Sequence, residues 1–143
     1  MTTDFIAPKT PTKILIIDDE EAFRYLLKDL LAEITCAVIV EAASGAEGLR
    51  QVLEEQPQVV FLDLVMPDMR GFEVLERLKS NPETCCVPTI IFTSKHLAAS
   101  EYDRLVAKAV AVISKENGSP QQTIAQIQAA LTKAGLLAAD CLG

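Results

Sequence analysis

"KILIIDDEEAFRYLLKDLLAEI" occupies residues 13–34 and passes through three regimes in succession. Lys13–Ile17 is a short, β-rich apolar run, and Asp18, Asp19, Glu20 and Glu21 are four acids in a row. Phe23, Leu26, Leu27, Leu30, Leu31 and Ile34 then recur at i, i+3, i+4, i+7 spacing, the one-sided stripe of an amphipathic helix. The stretch predicts one strand–turn–helix unit. It also raises an electrostatic question, since a hydrophobic strand here ends in a cluster of like charges.

The same alternation repeats along the chain. Further strands are predicted at 36–42 ("CAVIVEA"), 58–63 ("QVVFLD"), 87–93 ("VPTIIFT") and 109–113 ("AVAVI"). A second helix is predicted to open at "SGAE", with Ser44 as cap and Glu47 reaching back, to present Leu49, Val52 and Leu53, and to leave at Pro57. "GFEVLERLKS" predicts a third, with Phe72, Val74, Leu75 and Leu78 inward, stopped at Asn81-Pro82 because the residue before a proline resists helix. A fourth falls near 100–108. The last starts at "SPQQ", where Ser119 caps, Pro120 takes the first helical position and Gln122 closes the box, and it ends at Gly135. Alternating strands and helices imply a parallel sheet covered on both faces: an α/β, doubly wound (βα)5 three-layer sandwich.

The bulk numbers fit one such domain. The chain has 143 residues, half of them apolar and 23% charged, with a formal net charge of −7. The negative sign argues against nucleic acid or an anionic membrane as a direct partner, because both require clustered Lys and Arg. No apolar run approaches the roughly 18 residues a membrane span needs. The first dozen residues lack the apolar segment of a secretory leader, so a cytoplasmic location is expected. Cys36, Cys85, Cys86 and Cys141 show no paired CxxC spacing, and idle or buried thiols are expected rather than zinc or a disulfide framework.

In open α/β sheets, ligands bind outside the carboxyl ends of the strands. Asp18 and Asp19 follow the first predicted strand, Asp63 ends the third, Thr93 ends the fourth and Lys115 lies just past the fifth, so all five should meet on one rim. At ~4 Å and an effective dielectric near 20, each pair of carboxylates repels by about 4 kcal/mol. Such a cluster must hold protons or a cation, and an all-oxygen, partly open set suits Mg²⁺. Lys115 and Thr93 would offer an ammonium and a hydroxyl to phosphoryl oxygens, and Asp63 could serve as a nucleophile forming an aspartyl phosphate.

These residues carry a resemblance. "IIDDEE", "VVFLDLVMPDMRG", "IIFTSK" and "VISK", in this order, resemble the receiver domains of two-component response regulators, the CheY-like family, over roughly residues 13–134. The resemblance implies a flavodoxin-like sheet of order 2-1-3-4-5. It implies that Asp63 accepts a phosphoryl group from the phosphohistidine of a histidine kinase or phosphotransfer protein. Asp18, Asp19, Asp63 and the backbone carbonyl of Val65 would bind Mg²⁺, and Thr93 and Lys115 would hold the phosphoryl oxygens. Self-catalysed phosphorylation from small phosphodonors, autodephosphorylation and, as a further option, a homodimer come with the family. Residues 1–12 are expected to be a flexible tail, 13–134 the receiver domain and 135–143 a short tail with no effector domain.

Three positions depart from the family's pattern. Val112 stands where an aromatic switch residue is usual, Glu116 where a proline, often in a cis peptide, follows the lysine, and Lys108 where a glycine turn is common. They motivate an alternative, a receiver-like binding module that is not phosphorylated and has an altered switch region. A flavin carrier of the same architecture is disfavoured, since "DDEEAF" would repel the flavin phosphate. His96, the only histidine, is expected in solvent, and Glu20 and Glu21 are expected to serve only the helix N-terminus, where acids are welcome.

Overall fold

The computed structural model describes residues 12–116 and 119–136. Ten elements alternate: β1 (Lys13–Ile17), α1 (Glu21–Ile34), β2 (Val38–Ala42), α2 (Gly45–Glu55), β3 (Val59–Leu62), α3 (Gly71–Ser80), β4 (Thr89–Thr93), α4 (Ala99–Val106), β5 (Ala111–Ser114) and α5 (Pro120–Lys133). The five strands form one parallel sheet in the order β2-β1-β3-β4-β5. This is the flavodoxin-like α/β arrangement expected from the alternation. Of the expected tails, residues 1–11 and 137–143, and with them Cys141, lie outside the described residues.

Strand periodicity divides the core in two. Ile14, Ile16, Val59, Phe61, Ile90 and Phe92 point to one face, where Leu27 and Leu31 of α1 and Ile127 and Leu131 of α5 cover them. Their neighbours Leu15, Ile17, Val60, Leu62 and Ile91 point to the other, against Val52 of α2, Val74 and Leu78 of α3 and Leu105 of α4. Covered on both faces, the central strands read as continuous apolar runs rather than alternating ones.

The helix boundaries follow local chemistry. The Ser44 hydroxyl accepts from the Glu47 amide and the Glu47 carboxylate accepts from the Ala43 amide, so α2 begins as expected. Ser119 and Gln122 form the reciprocal box of α5, with Pro120 at its first position. After α5, Gly135 takes φ +96°, a conformation that disfavours any Cβ. α3 spans the expected ten residues, and Asn81 ends it in extended backbone before Pro82.

Several expectations are corrected in detail. Leu26 and Leu53 belong to the sequence stripes yet stay 49% and 44% exposed, because the sheet covers a narrower arc than the stripes occupy. Phe72 is half-buried rather than fully inside, with the Arg104 guanidinium 5.3 Å from its ring centroid. Cys36 is disulfide-bonded, not an idle thiol, while Cys85 and Cys86 are free. Lys108, where a glycine turn was noted, forms an ion pair with Glu76 of α3. Among the described residues, no helix is long and apolar enough to cross a membrane.

Candidate functional site

The parallel ladder itself delivers the acids to the rim. Beyond the end of β1 the Asp18 amide donates to the Ala42 carbonyl at 3.1 Å, and beyond β3 the Asp63 amide donates to Ile17 at 3.0 Å. The Lys115 amide donates to Thr93 at 2.9 Å. Each side chain therefore leaves from backbone that is still hydrogen-bonded to the sheet, and its direction is fixed by strand register rather than by a free loop.

Asp18 and Asp63 are only 2% and 4% exposed. Asp19 is exposed, and one oxygen from each of the three carboxylates falls within 4.8 Å of the others, a group able to hold a metal ion. The Lys115 ammonium stands among them, 2.7 Å from Asp18 Oδ2, 3.3 Å from Asp63 Oδ2 and 3.4 Å from Glu20 Oε1, with its side chain 6% exposed. Asp18 Oδ1 accepts from the Glu20 amide and Asp63 Oδ1 from the Val65 amide, at 2.9 and 3.3 Å. Thr93 is buried at the end of β4, where its hydroxyl oxygen accepts from the Lys95 amide at 3.2 Å.

The charge state follows from this packing. Burial pushes the Asp18 carboxyl above its ordinary value, and the bonds from Lys115 and the Glu20 amide only partly offset that. For Lys115, burial lowers the pKa, but the hydrogen bond to Asp18 and the charges of Asp63 and Asp18 outweigh it, so the ammonium is held above its ordinary value. One lysine cannot neutralise three carboxylates. The pocket is left with excess negative charge, which a bound cation would offset.

Of the residues singled out in the sequence, Asp18, Asp19, Asp63 and Lys115 meet in one cluster, with Thr93 on the same rim. Val65 is 56% exposed beside it. Val112 sits mid-strand, paired in register with Ile91 and half-buried against the α4 side of the core. The Lys115–Glu116 peptide is trans, and Lys115 reaches both buried acids from that backbone. His96 is 96% exposed, with Glu116 3.8 Å away.

Sequence reasoning missed two contributors. Glu20, assigned only to the helix terminus, also faces Lys115. Phe23, read as the first residue of the α1 stripe, places its ring under the ammonium at 3.9 Å and is itself propped edge-on by Phe92, with ring centroids 5.0 Å apart. The available signal was its position: it is the stripe residue nearest the acidic turn.

Comparison with known proteins agrees with this geometry. The chain is 36% identical over 83 residues to "Protein PilH" of Pseudomonas aeruginosa, a match spanning 58% of this chain and 68% of that one. It is 30% identical over 112 residues to "Histidine kinase P4" of Formosa agariphila, covering 78% of this chain but 8% of the kinase. The crystal structure of a CheY-like response regulator receiver domain protein from Methanospirillum hungatei superposes with a TM-score of 0.74 at 26% identity, covering 88% of this chain and 98% of that one. The family model described as "Response regulator receiver domain" matches residues 14–128, so with its acidic pocket of Asp18, Asp19 and Asp63 the chain belongs to the response regulator receiver domains.

Proposed function

We propose that the chain is a phosphoacceptor in two-component or phosphorelay signalling, with residues 13–134 as the working unit. It takes a phosphoryl group onto Asp63 from the phosphohistidine of a histidine kinase or phosphotransfer protein. The observation that carries this reading is the environment of Asp63: a carboxylate 4% exposed, 3.3 Å from a buried ammonium, in one pocket with two further acids.

The donor set fits Mg²⁺, since it is all oxygen, anionic and open on the Asp19 side. Asp18, Asp19, Asp63 and the backbone carbonyl of Val65 would hold the ion, which when bound supplies positive charge to phosphoryl oxygens. Asp63 attacks phosphorus through a carboxylate oxygen as the phosphorus–nitrogen bond breaks, and the electron pair leaves on the imidazole nitrogen. Lys115 already lies against Asp63 and draws the charge of the incoming oxygens, and the Thr93 hydroxyl is the second group placed to hold them. Phe23 and Glu20 keep the ammonium in position. Slow hydrolysis of the aspartyl phosphate by the same groups would reset the domain.

Intact mass after incubation with acetyl phosphate or phosphoramidate, with and without Mg²⁺, tests the proposal. A single Mg²⁺-dependent phosphoryl adduct, absent from Asp63→Asn, is expected. A folded wild-type chain that gains no adduct would overturn it in favour of a binding module that is not phosphorylated.

A further inference from the structure

At the opposite end of the sheet from the acids, the α3–β4 connection carries Cys85 and Cys86 side by side. Their sulfurs are 3.8 Å apart, Cys86 is exposed and Cys85 half-buried. The loop that presents them is tightly braced. The Lys79 ammonium donates to the carbonyls of Cys85 and Val87 at 3.2 and 3.1 Å, the buried Thr84 hydroxyl donates to Leu78 at 2.6 Å, and the Cys85 amide donates to Asn81 at 2.8 Å. The Cys85 thiol also points at the Pro82 carbonyl, at 3.7 Å. Two thiols held this close on a fixed loop form a chelate, and the separation selects what it can hold.

With a bond to sulfur of about 2.3 Å, a sulfur–sulfur distance of 3.8 Å corresponds to an angle at the bound centre of about 110°. A linear two-coordinate ion would need the sulfurs about 4.6 Å apart, twice that bond length and wider than they stand. A tetrahedral zinc site would need two more ligands, and the acidic triad at the other end of the sheet is the only group of three or more metal-binding side chains among the described residues. A pyramidal trivalent centre that brings its own third substituent is satisfied by two protein sulfurs. We infer that Cys85 and Cys86 form a dithiol binding site for monosubstituted trivalent arsenicals, soft electrophiles that close a ring across both sulfurs.

The step balances without an oxidant. Two arsenic–sulfur bonds form, the arsenic–oxygen bond of the arsenoxide breaks, and the two thiol protons leave with that oxygen as water. Arsenic stays trivalent and no electrons are transferred. The hydrogen bond to Cys86 and burial hold the Cys85 thiol above its ordinary pKa, so Cys85 enters this reaction protonated.

The probe is phenylarsine oxide, added to the full chain and followed by intact mass after removal of excess reagent. One adduct per chain, formed with loss of one water, is expected; it should resist excess monothiol and be removed by a dithiol. Cys85→Ser and Cys86→Ser should each hold the probe about a hundredfold less tightly, the loss expected when a two-point attachment becomes one-point. Asp63→Asn should bind it like the wild type, which separates this site from the phosphoryl chemistry. No adduct on the folded wild-type chain, or an equally resistant adduct on either serine variant with an unchanged circular dichroism spectrum, would overturn the assignment.

Discussion

Gly71 opens α3 directly against the backbone that carries Asp63. A Cβ built there would lie 2.3 Å from the Asp63 carbonyl oxygen and 2.6 Å from the Leu64 Cα. Ordinary contact begins at 3.4 Å, so Gly71→Ala must push α3 and the Asp63 strand end apart by about 1 Å. Neither atom is the tip of a flexible side chain. Overpacking of this kind costs about 1–3 kcal/mol. Stretching the 3.1 Å hydrogen bond from the Gly71 amide to the Leu64 carbonyl adds about 1 kcal/mol. Alanine's helix propensity returns at most ~1 kcal/mol. The net expectation is a loss of about 2 kcal/mol, or ~4–8 °C in melting temperature for a chain of this size. Gly48→Ala provides the comparison, because its new Cβ would meet side-chain atoms of Ile17, at 2.5, 2.8 and 2.9 Å, rather than backbone; that buried, β-branched side chain must shift, so this variant should also lose stability, but less of it. Urea unfolding of the three proteins should give midpoints in the order wild type, Gly48→Ala, Gly71→Ala with equal slopes. A Gly71→Ala protein as stable as the wild type, as helix propensity alone would have it, would refute the close-approach argument.

Three other perturbations probe the electrostatics and the loop. Lys115→Met leaves Asp18 and Asp63 buried without their counter-ion, and in chelator-treated protein should cost about 3 kcal/mol near pH 7; because burial holds the Asp18 carboxyl above its ordinary value, the cost should shrink as pH falls and Asp18 takes a proton, and a pH-independent cost would contradict the reading. Glu41 is held below its ordinary value by hydrogen bonds from Lys28 and Arg24 against an opposing burial effect, so its stabilisation is present above 4.5 and lost as pH falls through the lowered value. Asp18 has the opposite sign: its contribution is present below 3.8 and lost as pH rises through the raised value. Glu41→Gln should therefore flatten the acid limb of the stability curve and Asp18→Asn the decline above it, as read from urea midpoints across pH; curves parallel to the wild type would remove both assignments. Thr84→Val keeps the shape but orphans the Leu78 carbonyl, now bonded at 2.6 Å, and should lower stability by about 1–2 kcal/mol in the same assay, an unchanged midpoint arguing against it.

What the sequence made legible was whatever depends on short-range pattern. β1 spans Lys13–Ile17 as expected because an unbroken apolar run has one solution, and the Ser44 and Ser119 caps follow from residues three apart. Strand starts were harder. β2 begins at Val38 because the Thr35 hydroxyl captures the Ala37 amide, and β4 begins after Pro88, with the Val87 amide turned back to Thr84. β5 begins at Ala111, since the amides of Lys108 and Ala109 still serve the Leu105 carbonyl at the end of α4. The rim acids and Lys115 could be grouped from topology alone, but not the partners of the ammonium. Phe23 and Lys115 meet across most of the chain, and nothing local distinguishes a phenylalanine under a cation from one in the core.

The bond from Lys115 to Asp18 joins residues 97 positions apart. Closing so long a loop before the sheet exists would cost roughly 4 kcal/mol of chain entropy, more than one partly desolvated ion pair returns. The contact can then form only after β1, β3, β4 and β5 have aligned. In the order of folding events the pocket is a late arrival, assembled on a finished scaffold and open to loosening while the scaffold stays intact. A nascent or locally opened chain would possess the sheet before it possessed the chemistry.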